Sequence, residues 1–198
     1  MRTGLFCLMV IVAWSCTTHK PETQITETEH ARYRQAGDTL TQITFDAIRK
    51  QLLLKLREGG VPTALTYCQA YALPITDSLS QQYGVTIRRV SNKNRNPLNK
   101  ANKLESFLIK GYENDLHEKK DPEPRLVLKN DTVLYYKPIL TQALCLQCHG
   151  TVGQQITEEH AALIQKLYPY DKAINYQLNQ VRGLWQISFL QSRSDQPR

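Results

Sequence analysis

One pentapeptide, Cys145-Leu146-Gln147-Cys148-His149, constrains this chain more than any other part of its sequence. Two cysteines three residues apart, followed at once by a histidine, form the C-x-x-C-H pattern that is typical of c-type haem attachment. The spacing lets two thiols reach the two vinyl groups on one edge of a porphyrin, and the adjacent imidazole can turn under the iron. We therefore predict one covalent haem c, with Cys145 and Cys148 as attachment residues and His149 as an axial ligand.

Three other interpretations of the cysteine pair explain less of the sequence. A thioredoxin-like C-x-x-C opens a helix after a strand in a βαβ unit, and the pattern around it predicts no such unit. A structural zinc site needs four ligands, but the sequence has no second C-x-x-C and no suitably spaced histidine pair. A simple disulfide would leave the adjacent histidine unexplained.

The N-terminus has the features of an export signal. Residues 1–15 contain a basic start and an apolar run that is too short to cross a bilayer, which predicts a signal peptide. The run ends in Ala13-Trp14-Ser15-Cys16, which resembles a bacterial lipobox. We predict that Cys16 is acylated and anchors the protein to a membrane on the periplasmic side, with plain secretion as the alternative. Residues 16–28 are polar and predict a tether.

The remaining chain, residues 29–190, has the length of one domain, and residues 191–198 form a polar tail. The chain has 25 Lys and Arg against 18 Asp and Glu, a net charge of +7. These charges are scattered and mixed in sign, which is typical of a solvated surface. We therefore expect no nucleic-acid partner.

Hydrophobic periodicity predicts an α+β domain with long N-terminal helices packed on an antiparallel sheet. One helix is predicted from Glu29 to Glu58, ending at Gly59-Gly60, and a second from about Pro62, broken or kinked at Pro74 and ending near Gly84. Further predictions are a strand over 85–91, a helix over 101–117 with Leu104, Phe107, Leu108 and Gly111 on one face, a hairpin turning at Asn130-Asp131, and a last strand burying Trp185, Ile187 and Phe189 on one face.

The second axial position is less constrained by the sequence. Both methionines, Met1 and Met9, lie in the predicted signal peptide, so a His/Met pair is excluded once that peptide is removed. The remaining candidates are Cys68, His19, His30, His117, His160, a lysine or an open position. Cys68 lies on an apolar helix face, where a free cysteine is commonly a small buried hydrophobe, so ligation and simple packing both fit it.

Several ordered motifs together resemble a known family. They are Ala64-x-x-x-Cys68, Arg89-Val-Ser91-x-x-x-Arg95-Asn96-Pro97-x-Asn99, Leu104-Glu105, Tyr135-Tyr136-x-Pro138-Ile139, Cys145-Leu-x-Cys148-His149-Gly150, Tyr168-Pro169-x-Asp171-x-Ala173 and Arg182-Gly183. In these motifs the chain resembles the bacterial haem-c proteins with a PAS-like domain, a family of unknown function, over about residues 33–189. Asn175 stands where that family usually has glycine.

The resemblance implies a PAS-like domain in which His149 and Cys68 are the axial pair. It further implies sensing of redox state or of a small ligand. Arg89, Arg95 or Arg182 could pair with the haem propionates, because guanidinium groups bind carboxylates through two parallel hydrogen bonds.

We therefore predict an exported haem module that senses redox state or a small ligand and signals through a partner protein, since the sequence contains no output domain. The alternative is a periplasmic electron-transfer cytochrome. A peroxidase ranks below both, because it needs an open distal side with an acid or base beside the iron. We expect no enzymatic activity.

Overall fold

The computed structural model describes residues 25–190. The order of elements is α1 (Glu27–Tyr83), β1 (Thr86–Val90), a short 3-10 helix (Pro97–Asn99), α2 (Lys103–His117), β2 (Arg125–Lys129), β3 (Thr132–Leu140), α3 (Ala143–His149), α4 (Glu158–Leu167) and β4 (Val181–Leu190). The α+β class is therefore confirmed, whereas the PAS-like character stays a prediction. The predicted signal peptide, Cys16 and the tail from residue 191 lie outside the described residues, as does the tether up to residue 24.

The strands form one four-stranded antiparallel sheet in the order β1-β4-β3-β2. β2 and β3 make the predicted hairpin, and Asn130 takes the positive φ of 54° that a tight two-residue turn requires. β4 pairs with β1 on one side and with β3 on the other. The last strand within residues 25–190 is thus central in the sheet.

Helices cover both faces of this sheet. On one face, α1 packs through Leu40 against a cluster that includes Tyr135, Trp185 and Ile187. On the other face, α2 packs against Val90, Tyr136 and Leu184, among others. The prediction of a single buried face for β4 is therefore wrong, because α2 covers the side that carries Leu184 and Gln186, and both are buried there.

Helix α1 begins at Glu27, where Thr26 and Glu29 form a capping box, two residues before the predicted start. The predicted break is present, since Gly59 and Gly60 leave helical dihedrals and Gly60 has φ +68°. We call residues 61–83 the C-terminal segment of α1. It ends at Gly84, which caps it in the left-handed conformation, as predicted.

The predicted break at Pro74 is wrong, because the C-terminal segment of α1 keeps helical dihedrals through this residue, whereas the predicted kink stays a prediction. Proline removes one backbone donor from a helix, but the turn around it is held by other contacts. Thr76 Oγ1 and Arg89 Nη2 both donate to the Ala72 carbonyl, at 2.9 and 3.2 Å. The contact from Arg89 thus ties this part of the helix to β1, but it does not replace the bond that a Pro74 N–H would have made to the Ala70 carbonyl.

The inward face of α2 also differs from the prediction. Phe107 is 72% exposed, and the helix docks on the sheet through Leu108, Ile109 and Tyr112. Helix α1 behaves similarly, because Gly37, Thr41 and Thr44 are buried between its apolar residues. Because small and polar residues also lie on the buried side of a helix, the spacing of apolar residues alone did not identify the inward face.

Helices α3 and α4 were not predicted. α3 carries the C-x-x-C-H motif, and α4 packs through Ile164 against Leu65 of α1 and Ile156, in a third cluster that also contacts Cys148. None of the helices within residues 25–190 has the length and apolarity to span a bilayer.

Candidate functional site

A cavity of about 270 Å³ lies against the C-x-x-C-H helix. Its walls come from both segments of α1, from β1 and β4, from the loop at 91–99 and from α3. Phe45, Ile48, Leu52 and Trp185 make much of the lining apolar. A flat apolar group with a polar edge fits such a space, because cofactor sites combine apolar walls with a few placed polar groups.

Cys145 and Cys148 both line this cavity as partly buried free thiols, one turn apart on α3. Burial raises the pKa of the Cys148 thiol to about 11, although the nearby Arg95 guanidinium opposes the shift. The Cys148 sulfur is thus held as a neutral thiol, and both sulfurs face one space. That arrangement suits addition to two groups on one edge of a planar ligand.

His149 ends α3 and lines the same cavity. Its Nδ1 lies 2.7 Å from the Ala173 carbonyl oxygen, which can only accept, so Nδ1 carries the proton and Nε2 keeps its lone pair. Burial, together with the Arg182 and Arg95 charges, lowers the pKa of His149 well below its usual value. A neutral imidazole with one nitrogen fixed on a carbonyl is the usual form of a metal-ligating histidine.

Cys68, on the C-terminal segment of α1, lines this cavity too. Burial raises the pKa of its thiol, and the Arg89 and Arg95 charges act in the opposite direction. Of the other residues considered for the second axial position, His30, His117, His160 and the described lysines do not line the cavity, and His19 lies outside the described residues.

Arg89 and Arg182 border the cavity from β1 and β4. Arg89 Nη2 donates to Ala72 O at 3.2 Å, and Arg182 Nη1 donates to Ser91 Oγ and Lys93 O, both at 3.1 Å. The Nε of each arginine is buried and finds no partner among residues 25–190. Two buried cationic donors without acceptors fit an anionic ligand group such as a carboxylate.

Arg95 also lines the cavity, but most of its donors are used within the protein. It forms an ion pair with Asp171 and donates to the carbonyls of Cys148 and Ala173. Arg95 is one of three arginines considered as propionate partners from the sequence, and the structure gives its Nε and Nη2 other acceptors. Propionate pairing stays a prediction for all three arginines, and the geometry favours Arg89 and Arg182.

Several residues of the site were missed from the sequence. The apolar wall on the N-terminal segment of α1, at Phe45, Ile48 and Leu52, had only a helical period to mark it. Asp171 and Ala173, which hold Arg95 and His149, stand in the Tyr168-Pro169-x-Asp171-x-Ala173 motif, which was noted without a role.

The segment after Ala173 is paired with the end of α3. Asn175 N donates to Gly150 O at 2.8 Å, and Tyr176 N donates to His149 O at 2.9 Å. Asn175 has φ +60°, a left-handed conformation that asparagine tolerates better than most residues. This explains how asparagine serves where glycine is usual in the resembling family.

Fold and site together define an α+β domain that presents a C-x-x-C-H helix to an apolar cavity edged by buried arginines. The chain belongs to the Tll0287-like family, whose model matches residues 19–189. Among solved structures, the crystal structure of the cyanobacterial heme-protein Tll0287 matches with a TM-score of 0.58 at 24% sequence identity, covering 85% of this chain and 98% of that chain. No curated protein matches the sequence significantly.

Proposed function

We propose that this chain is an exported c-type haem protein that senses redox state or a small ligand. The observation that carries the proposal is the neutral His149 imidazole, fixed through Nδ1 on Ala173 O, with two free thiols on the same helix and the same cavity. The similarity in fold to a protein described as a cyanobacterial heme-protein supports it. Cys145 and Cys148 would hold the haem covalently, and His149 would be one axial ligand.

Cys68 is the proposed second axial ligand. Besides the two cysteines of the C-x-x-C-H motif, it is the described thiol that lines the cavity. A thiolate ligand donates electron density and favours ferric haem. Because burial favours the neutral thiol over the thiolate, Cys68 would hold the iron less firmly than an unburied thiolate, and a small ligand would replace it more easily.

The haem would supply one-electron redox chemistry and an iron site for small ligands. The chain's own residues would hold it: Arg89 and Arg182, whose Nε atoms have no partner within residues 25–190, would donate to its carboxylates, and the apolar wall would exclude water. Replacement of Cys68 by a small ligand would change the contacts of the C-terminal segment of α1. We propose that a partner protein detects that change.

The location belongs to the same proposal. Export through residues 1–15, a lipid anchor at Cys16 and a periplasmic position would place the domain where c-type haem is attached. Replacing Cys16 by Ser tests the anchor, because membrane retention of that variant would contradict it.

Covalent haem is tested first, by a pyridine haemochrome spectrum on denatured, extracted protein made in a periplasm with c-type maturation. We expect a haem c signal from the parent and none from the Cys145→Ser/Cys148→Ser double variant. A parent without covalent haem, despite competent maturation, would overturn the proposal.

Sensing is tested separately by Cys68→Ala, with Thr66→Ala on the exposed side of the same helical segment as the control. The ferric spectrum of Cys68→Ala should lose its low-spin thiolate features, and that of Thr66→Ala should not. Reduced parent protein should bind CO or NO with loss of the sulfur ligand. Unchanged ligation in both redox states, with fast reversible electrochemistry, would favour the electron carrier instead.

A further inference from the structure

Arg95 and Asp171 form a bidentate ion pair beside the C-x-x-C-H helix. Arg95 Nε and Nη2 each lie 3.1 Å from a different carboxylate oxygen of Asp171. The two side chains are only 10% and 4% exposed. A buried pair of this geometry is held rigidly, because loss of either partner leaves an uncompensated charge.

The same pair holds two backbone segments next to the His149 side chain, at Cys148 and at Ala173. Arg95 Nη2 donates to Cys148 O at 2.6 Å, at the residue immediately before the histidine. It also donates to Ala173 O at 3.3 Å, the carbonyl that accepts the proton of His149 Nδ1. Asp171 Oδ1 accepts from Ala173 N at 2.9 Å, so both backbone groups of Ala173 are held by the ion pair.

Sharing of one carbonyl has a consequence for the imidazole. An oxygen that accepts from a guanidinium is a weaker acceptor for a second donor, so the His149 Nδ1–H bond is weaker than it would be without Arg95. Groups that hydrogen-bond to a metal-ligating histidine fix its tautomer and tune its strength as a donor. Arg95 therefore acts on both the orientation and the basicity of His149.

We propose that the Arg95–Asp171 pair is a positioning device for His149, in which the shared Ala173 carbonyl fixes the Nδ1–H tautomer and the balance of the two charges sets the reduction potential of the haem. This inference rests on the proposed function for its second half only. The first half concerns residues of this chain and holds with or without haem.

The tautomer is measured in the Cys145→Ser/Cys148→Ser full-length chain, which carries no thioether, by ¹⁵N NMR of the histidine side chains. The His149 signals are identified as those lost on His149→Gln. We expect a single Nδ1–H tautomer in this background. When Arg95→Gln is added we expect a mixture of tautomers, because the Ala173 carbonyl, although a stronger acceptor without the guanidinium, is then no longer held opposite Nδ1. Arg34→Gln, which removes an exposed ion pair with Glu123, is the control and should leave the single tautomer.

The potential is measured by redox titration of haem-loaded protein. Arg95→Gln removes a positive charge and should shift the equilibrium about tenfold toward ferric haem, which is about 59 mV for one electron. Asp171→Asn keeps the shape and the acceptor for Ala173 N but removes a negative charge, and should shift the equilibrium in the opposite direction.

Opposite signs distinguish tuning of the potential from a merely structural role, because general loosening of the helix would shift the potential of both variants in the same direction.

Arg95→Lys keeps the charge without the planar fork. It should recover the potential but not the single tautomer, and it provides a second test if Arg95→Gln does not fold. A single tautomer in every variant, or equal shifts in potential, would overturn the inference. Absence of haem from the parent would overturn the proposed function and leave the tautomer test in force.

Discussion

At the scale of single residues, two arginines of the cavity differ from Arg95. Arg89 and Arg182 keep a buried Nε that has no acceptor within residues 25–190. Burial lowers the pKa of both guanidinium groups, so their charge is costly in the protein alone. A bound anion would offset this cost, which makes the two residues sensitive to what occupies the cavity.

Arg89→Gln should therefore have different effects in the two forms of the protein. Loss of a charge-assisted hydrogen bond costs about 1.5–3 kcal/mol, so the free energy of unfolding of the haem-loaded form should fall by about 2 kcal/mol. In the Cys145→Ser/Cys148→Ser background the same change should cost far less, because without a bound anion it also removes the cost of burying the Arg89 charge. Denaturant unfolding of both forms measures the difference.

The neighbouring arginine provides a matched control. Arg88 contacts Glu105 and Gln186 and does not line the cavity. Arg88→Gln should change both forms by the same amount. Equal losses for Arg89→Gln in the two forms would argue against a carboxylate partner at Arg89.

At the scale of elements, the break in α1 divides the two helical walls of the cavity. Gly60 has φ +68° and ψ −159°, a region that only glycine occupies readily. A Cβ added at this position would have room, because the nearest atom, Pro62 Cδ, would be 3.8 Å away. Any other residue at position 60 would therefore be strained by the backbone dihedrals and not by contact with neighbouring atoms. Gly84, at φ +63° and ψ 31°, lies in the milder left-handed helical region.

We expect Gly60→Ala to lower the free energy of unfolding by about 2–3 kcal/mol and Gly84→Ala by about 1 kcal/mol. Gly84→Asn should cost less than Gly84→Ala, because asparagine tolerates this conformation. Denaturant unfolding gives all three values. Equal costs at both positions would show that the break at Gly59-Gly60 does not depend on the backbone conformation of Gly60.

Helix α2 depends on a buried carboxylate at its N-terminus. Glu105, 1% exposed, accepts from the Asn102 backbone N–H at 2.8 Å and from Arg88 at 3.1 Å. Glu105→Ala removes half of a capping box and a charge-assisted bond, so we expect a loss of about 2–3 kcal/mol in unfolding experiments. Glu113→Ala, on the exposed side of the same helix, is the control and should cost under about 0.5 kcal/mol.

At the scale of the whole molecule, the two faces of the sheet bury several tyrosines. Tyr112, Tyr135 and Tyr136 are at most 1% exposed, and Tyr168 borders the cavity. Burial raises the pKa of Tyr136 and of Tyr168 to about 12, and raises those of Tyr112 and Tyr135 further. Each hydroxyl therefore keeps its proton in the folded protein at a pH where the unfolded chain loses it.

Stability should accordingly be complete below pH 10, near the ordinary tyrosine pKa, and should fall as the pH rises toward 12. Each such tyrosine contributes a slope of up to about 1.4 kcal/mol per pH unit. Tyr136→Phe should reduce the slope by about that amount. The same variant at pH 8, where tyrosine is protonated in both states, serves as its control, and an unchanged alkaline slope would contradict the assignment.

Much of this architecture could be predicted from periodicity and turn chemistry. Gly59-Gly60, Gly84 and Asn130-Asp131 marked a break, a helix end and a hairpin, because their conformations are dictated locally. Phe107 and the second face of β4 were mispredicted because their burial depends on where α2 docks. The predicted break at Pro74 is wrong because the helix continues through the proline, where Arg89 of β1 donates to the nearby Ala72 carbonyl.

The sequence by itself determined which residues can carry the chemistry. The C-x-x-C-H spacing can be seen in the sequence without any fold, and the prediction that both methionines leave with a signal peptide rests on their positions alone. Only the tertiary structure decided that Cys68 shares a cavity with His149, and that Arg95 holds the histidine's carbonyl partner while Arg89 and Arg182 keep Nε donors without an acceptor in residues 25–190. The bond from Arg182 to Ser91 joins residues 91 positions apart, and hydrogen bonds over such separations depend on how the strands and helices pack.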